Sequence, residues 1–319
     1  MTAELQDIVY GPVPSRRLGQ SLGINNIPPK RCTYSCIYCQ LGITRAMRIK
    51  RQSFYPPDVL VKAVERKVQA ARQNGERIDY LTFVPDGEPT LDSHLGRHIE
   101  MLQPLGIDIA VITNGSLLWK RDVQDDLQAA DMVSIKIDAL SEPVWRSINR
   151  PHGGLQLSRI LEGIQEFSRH YAGKLLTETM LVRNVNDTAR EAINIAEYIE
   201  GLDVEKSYIA IPFRPPAKNW VQPANELAVS RAYTIFRDHG IYTEGLTGFE
   251  GDAFASTGDI AEDILSITSV HPMRKESVQQ LLSKKGVGWE IIDQLLREGR
   301  LVETEYDGTF FYIRKLPSS

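Results

Sequence analysis

Pro29-Lys-Arg-Cys32-Thr-Tyr-Ser-Cys36-Ile-Tyr-Cys39-Gln-Leu-Gly42 contains every cysteine of this 319-residue chain. Three soft thiolate donors within eight positions can reach one metal centre from a single loop. They are one too few to close a four-thiolate site, so a zinc ion or a cubane cluster held here takes its last ligand from elsewhere. Three readings stand side by side. A structural zinc could recruit one of the six histidines, although none lies near the loop and Cys-x3-Cys-x2-Cys is an unusual zinc spacing. Packing thiols, or a disulfide with one free thiol, would be the second, but a loop bounded by Pro28-Pro29 and Gly42 serves no core. An iron–sulfur cluster with one iron left open is the third.

Outward from this loop the chain alternates. Residues 21–27 form an expected strand ended by Pro28-Pro29, so the cysteines follow a strand's C-terminal end. Upstream, two prolines and a glycine in 11–17 read as irregular backbone carrying Arg16 and Arg17. Downstream, residues 57–74 have helical period, with Pro56-Pro57 at the start and Gly75 after the end. Expected strands at 80–84, 107–113, 132–137, 174–182 and 206–211 then alternate with expected helices at 91–105, 119–129, 155–171, 188–200 and 226–239. Short apolar strands between amphipathic helices argue for an α/β fold with a parallel sheet. Alternation alone does not separate an open doubly wound sheet from a barrel.

Polar residues gather at the expected strand ends, where parallel α/β folds place their working groups. Asp86-Gly-Glu88, Thr113-Asn-Gly115, Lys136 with Asp138, Glu178, Arg183-Asn184 and Pro212-Phe-Arg214 all stand there. Each alone could be a cap or turn. Their repetition at successive strands argues for one shared ligand face.

Cys32-x3-Cys36-x2-Cys39, with Tyr38 just before the last cysteine, resembles the cluster motif of the radical S-adenosylmethionine (SAM) superfamily. The string Gly11-Pro-Val-Pro-Ser-Arg-Arg-Leu-Gly-Gln-Ser-Leu-Gly-Ile-Asn25 is similar to a group of prokaryotic Fe–S oxidoreductases classed beside the wyosine-synthesis enzymes. Gly87-Glu88-Pro89 resembles the superfamily's Gly-Gly-Glu-Pro motif, with Asp86 in place of the first glycine. The resemblance, over residues 11 to about 240, implies a partial TIM-like (βα) barrel. It implies a [4Fe–4S] cluster on Cys32, Cys36 and Cys39, and S-adenosyl-L-methionine chelating the fourth iron. Gly87, Glu88 and Pro89 would accept from the SAM amino group. Asn114, Lys136 and Asp138 would face its ribose and carboxylate, and Tyr38 its adenine. An electron from a flavodoxin- or ferredoxin-type donor would cleave SAM to a 5′-deoxyadenosyl radical that abstracts hydrogen from a substrate. No catalytic side chain is assigned. Asn149, Arg150 and His152 in a glycine-rich loop, and Arg214 in the stiff 212–220 loop, are the substrate-side candidates.

Charge narrows the substrate to two classes. The net charge is −4, yet between Asp7 and Asp58 there is no acid while Arg16, Arg17, Lys30, Arg31, Arg45, Arg48, Lys50 and Arg51 make that segment +8. Such a surround favours anionic ligands: the cluster, the SAM carboxylate, or RNA. A solvated basic face is the plainer account. Residues 258–319 read as three helices (259–268, 275–284, 289–298) and a hairpin turning at Asp307-Gly308, the order of a winged helix-turn-helix. Its expected recognition helix carries Glu290, Asp293 and Glu298 against Arg297, which argues against DNA and leaves docking onto the barrel or a peptide held along the hairpin edge, the second substrate class. The expected organisation is therefore a barrel over 1–244, a linker over 245–257 and a winged-helix domain over 258–319. With no apolar run of membrane length, no signal-like start and cysteines that must stay reduced, the expected location is the cytoplasm. A redox-sensing, DNA-binding regulator without SAM chemistry is the alternative from another class. A second four-cysteine cluster is excluded by the cysteine count.

Overall fold

The computed structural model describes residues 8–44, 46–246, 259–270, 272–306 and 308–315. The chain opens with an antiparallel hairpin, β1 (Val9–Ser15) and β2 (Gly19–Ile24). The cysteine loop follows, carrying the two-residue strands β3 (Arg31–Cys32) and β4 (Ala46–Met47). Then come α1 (Pro57–Gln73), β5 (Tyr80–Phe83), α2 (Leu95–Leu102), β6 (Asp108–Thr113), α3 (Arg121–Leu127) and β7 (Met132–Lys136). The run continues through α4 (Glu142–Ile148), α5 (Leu157–His170), β8 (Lys174–Met180), α6 (Ala189–Glu200), β9 (Lys206–Ala210), α7 (Glu226–Asp238) and β10 (Thr243–Leu246).

Eight strands form one sheet in the order β1-β2-β5-β6-β7-β8-β9-β10, parallel from β2 onward. Right-handed crossovers between strands that never reverse their order place the helices on one face. The sheet curls away from them into a half-barrel, open between β1 and β10. A doubly wound sheet would need a reversal of strand order, and none occurs. This is the α/β half-barrel that the resemblance implies.

Period-2 alternation sorts the side chains. Ile109, Val111, Val133 and Ile135 point outward to the helices in the main core. Ala110, Met132, Leu176 and Tyr208 point inward and make a smaller cluster with Leu18 and Leu246. Leu18 belongs to the β1–β2 turn, and Arg16 of the same turn donates to the Gly245 carbonyl at 3.5 Å. The hairpin turn thus crosses the interior from one edge of the sheet to the other.

Three departures from the sequence reading have physical reasons. Residues 11–15 are strand, not irregular backbone. Pro12 and Pro14 are tolerated because β1 is an edge strand, and the register shifts between Tyr10 and Val13. The expected helix over 91–105 is broken into 3₁₀ turns at Pro89–Leu91 and Gln103–Leu105 around α2, since Pro104 cannot continue a helix. Gly245 and Leu246, read as linker, pair with Ile209 and Ala210 in the sheet. The rest of the expected linker lies outside the described residues.

After it stand α8 (Ile260–Val270), β11 (Met273–Arg274), α9 (Lys275–Lys285), α10 (Glu290–Arg297), β12 (Leu301–Tyr306) and β13 (Thr309–Arg314). The last strands form an antiparallel sheet in the order β11-β13-β12, with Tyr306 paired to Thr309 across the hairpin turn. Asp307 lies outside the described residues. Tyr10 and Val13 of β1 are buried in the core of this unit beside Ile264, Leu265, Met273 and Tyr312. Ser266 donates to the Val9 carbonyl at 3.3 Å, and Lys67 pairs with Asp263 at 3.1 Å. Among the described residues no helix is long and apolar enough to cross a membrane.

Candidate active site

The cysteine loop leaves the C-terminal end of β2 and is held on both sides by backbone pairing. On one side Ser35 N–H donates to the Asn149 carbonyl (3.0 Å), Ile37 N–H to Ile148 (2.9 Å) and His152 N–H to Thr33 (2.9 Å). On the other, Glu88 N–H donates to the Arg31 carbonyl at 3.0 Å and Lys30 N–H to Asp86 at 2.8 Å. Arg48 N–H closes a third contact, on the Cys32 carbonyl at 3.0 Å. Trp145 Nε1 donates to the Tyr34 hydroxyl at 3.2 Å and packs edge-on against its ring. Two distant chain segments and the loop's own continuation therefore clamp a loop whose regular structure is confined to the two-residue strands β3 and β4.

Gly87 is the closest approach. A Cβ there would fall 1.8 Å from the Arg31 carbonyl oxygen, so only glycine fits between the turn and the cysteine loop. Its neighbour Glu88 is buried, and its carboxylate accepts from Thr113 Oγ1 (2.6 Å), Thr90 Oγ1 (2.6 Å), Thr90 N–H (3.1 Å) and Asn114 N–H (2.8 Å). Burial raises the Glu88 pKa, and those donors offset part of the rise. Asn114 in turn donates to Thr33 Oγ1 at 2.8 Å and to Cys32 Sγ at 3.5 Å. The ends of β5 and β6 are thus joined to the cysteines through one carboxylate and one amide.

A second network lies at the ends of β7 and β8. Tyr38 donates its hydroxyl to Asp138, which also accepts from Asn149 Nδ2 (2.7 Å) and Met180 N–H (2.9 Å). The same Asn149 amide reaches Cys36 Sγ at 3.4 Å. Lys136 lies 5.2 Å from the centre of the Tyr38 ring and pairs with Glu178, which pairs in turn with Arg17 from the β1–β2 turn. Burial pushes Glu178 up, but Arg17 and Lys136 outweigh it and hold the carboxyl at about 2. Burial likewise works against the Lys136 ammonium, and Glu178 with Asp138 holds its pKa above the ordinary lysine value.

The thiols fit a cationic metal centre. Burial pushes all three upward, Cys36 to about 12, and neighbouring thiols add repulsion at Cys32 and Cys36. Three such groups ionise together only when a strongly positive centre compensates them. Among the described residues, no three His, Cys, Asp or Glu groups converge where one metal ion could be held. A cubane cluster held by such a trio takes one iron per cysteine.

The structure therefore brings Tyr38, Gly87, Glu88, Pro89, Asn114, Lys136 and Asp138 into one surround of Cys32, Cys36 and Cys39. Asn149 joins that surround rather than an outer loop. His152 accepts from Gly154 N–H at 3.0 Å, and Arg150 is exposed, with φ of 47°. Arg214 donates to Gln40, just past Cys39, at 2.9 Å. From sequence Glu178 and Thr113 stand only among the strand-end polar residues and Arg17 only among the basic ones, none with a role of its own. The signals were there: paired arginines in the Gly11–Asn25 string, and one acid in the otherwise uncharged Leu175–Met180 run.

A family model of the radical SAM superfamily matches residues 26–196, just over half of the 319, and the chain belongs to that superfamily. Membership implies an iron–sulfur cluster and SAM as cofactors and places the chain among radical SAM enzymes. At the level of the individual protein it is similar to a UPF0026 protein of Methanocaldococcus jannaschii, 45% identical over 313 residues, 98% of this chain and 97% of that one. Among solved structures it is similar to TYW1 with a lysine-pyruvate adduct bound (TM-score 0.54, 15% identity, 75% of this chain and 78% of that one). It is also similar to a radical SAM methyltransferase from Sphaerobacter thermophilus (TM-score 0.55, 15% identity, 71% and 66%). At those identities the structural likeness concerns the fold.

Proposed function

We propose that the chain binds a [4Fe–4S] cluster through Cys32, Cys36 and Cys39, binds SAM beside it, and takes a hydrogen atom from an RNA or peptide substrate. The observation that carries this reading is the pairing of the Gly87-Glu88-Pro89 turn with the cysteine loop, so close that a Cβ at Gly87 would strike the Arg31 carbonyl. A cysteine trio fused edge to edge with that turn is a site for a ligand of the cluster, not a cluster standing alone. When bound, the cluster and SAM supply the electron acceptor and the carbon radical.

The protein's own groups bind and orient. Glu88 fixes the turn that would receive the SAM ammonium. Asn114 ties that turn to the loop. Lys136, kept charged by Glu178 and Asp138, would face the SAM carboxylate, while Tyr38 and Asp138 would border its ribose and adenine. Arg150, His152 and Arg214 would meet substrate at the rim. Residues 258–319 would form a winged helix, from the order helix, short strand, two helices and hairpin. Its α10 exposes acids, which favours a peptide or barrel contact over DNA. Reduced thiols suit the cytoplasm.

The test is anaerobic reconstitution with iron and sulfide, then measurement of 5′-deoxyadenosine after dithionite reduction, with and without RNA or peptide fractions. The expected result is a brown protein that produces 5′-deoxyadenosine. Glu88→Ala should keep iron and bind SAM more weakly. A protein that retains zinc, or a cluster that never cleaves SAM, would remove the proposal.

A further inference from the structure

The described residues between Ile43 and Lys50 run beside the Cys32 edge of the cysteine loop. Met47 pairs with Cys32 in the β3–β4 ladder, so their backbones stand one strand spacing, about 4.8 Å, apart. Arg48 N–H donates to the Cys32 carbonyl at 3.0 Å, and Thr44 N–H donates to Ser35 Oγ at 3.2 Å. Yet two apolar side chains on this strip face water: Ile43 is 50% exposed and Met47 38%. Arg48 and Lys50 are exposed beside them, and no acid occurs anywhere between Asp7 and Asp58.

We propose that this face is the docking site of an acidic, one-electron carrier protein that reduces the cluster by way of Cys32. The inference rests on the function proposed above, which requires an electron from outside. Electron transfer falls steeply with distance, so a carrier gains most by docking against the strand that pairs with Cys32. Other parts of the loop lie against the Tyr34–Trp145 pair, the Gly87–Pro89 turn and the Arg214 and Lys218 segment. Two apolar side chains with a basic border match the small, weak interfaces of redox partners, below about 1,200 Å² of buried surface. The basic border attracts an acidic surface at long range and speeds encounter. RNA would feel the same charge, but residues 43–50 offer no aromatic ring on which a base could stack. In the step itself the carrier's reduced flavin or iron–sulfur centre loses one electron and the cluster gains it. No bond or proton moves.

The experiment uses the full chain and the double variant Arg48→Glu/Lys50→Glu, with Met47→Asp as an independent disruption of the apolar centre. Affinity for a purified acidic flavodoxin and an acidic ferredoxin is measured by calorimetry at low and high salt. Cluster bleaching by the reduced carrier is compared with bleaching by dithionite. Wild-type affinity should fall with salt, and each variant should lose about tenfold in affinity and in carrier-driven rate while dithionite reduces all three equally. Variants within about twofold of wild type in both measurements would overturn the assignment. So would transfer RNA that binds through Arg48 and Lys50 and displaces the carrier. Failure of dithionite-reduced wild type to form 5′-deoxyadenosine would instead refute the underlying function. The carrier affinities would still decide the docking face.

Discussion

Replacing Gly87 by alanine should damage the protein before any cofactor is considered. The new Cβ would lie 1.8 Å from the Arg31 oxygen, 2.7 Å from its carbonyl carbon and 2.9 Å from Ile27 Cδ1. Restoring ordinary contact at 3.4 Å requires the turn and the loop to separate by about 1.6 Å. Neither partner is a flexible side-chain end, because both are backbone held in the same ladder. The separation would break the 3.0 Å bond from Glu88 N–H to Arg31 and the 2.8 Å bond from Lys30 N–H to Asp86. Two backbone bonds at about 0.5–1.5 kcal/mol each, plus about 1–3 kcal/mol of overpacking, total about 2–6 kcal/mol. With an unfolding entropy near 0.7 kcal/mol/K for a chain of this length, Tm should fall by about 3–9 °C. Gly153→Ala is the matched control, since its Cβ would meet nothing within 4 Å. It should stay within about 0.5 kcal/mol of wild type. Thermal melts of the cofactor-free proteins and calorimetric SAM titrations of the reconstituted ones provide the readouts. A Gly87→Ala protein that melts with wild type and binds SAM equally well would refute the close-approach argument.

Other expected outcomes concern the thiols, the buried charges and β1. Cys36→Ala should lose the visible chromophore, the bound iron and reductive SAM cleavage together, as followed by absorption, iron assay and chromatography. Glu178→Gln should cost about 3–5 kcal/mol at neutral pH, because Arg17 and Lys136 would be left without their shared counter-charge. The folded pKa of Glu178, about 2, lies below the ordinary 4.5, so its stabilisation is complete above 4.5 and is lost as pH falls toward 2. Chemical denaturation across that interval should show a shallower loss of stability in the Gln variant than in wild type. Tyr10→Phe removes the hydroxyl that bonds the Val84 carbonyl at 3.2 Å, just before the Gly87 turn. A loss of about 1 kcal/mol is expected in a melt, with the C-terminal core otherwise kept.

Much of the site was legible because its chemistry is local. Three cysteines in eight positions define a donor set whatever the surrounding fold, and Gly87-Glu88-Pro89 stands at a strand end that periodicity alone locates. Sequence spacing places Asn149 in a loop facing substrate and cannot show its amide turning inward to Cys36 and Asp138. Arg17 was one of eight basic residues in its segment, with nothing local to mark it as the partner of a carboxylate 161 positions away. Pro12 and Pro14 concealed β1, because a proline's missing N–H is harmless only at an edge, and being an edge is a property of the assembled sheet.

From sequence alone come the spacing of the sulfur donors, the alternation of apolar strands with amphipathic helices, and the polar residues closing each strand. These follow from covalent geometry and from the 2.0 and 3.6 residue periods of strand and helix. Tertiary structure alone decided that the strands keep their order and curl into an open half-barrel, and that the β1–β2 turn crosses its interior. It also decided that the C-terminal helices share a core with β1 and that a glycine must separate the turn from the cysteine loop. The reason is the same in each case: such contacts join residues tens to hundreds of positions apart. No local preference encodes them, and they take shape only when burial and backbone pairing are satisfied for the whole chain at once.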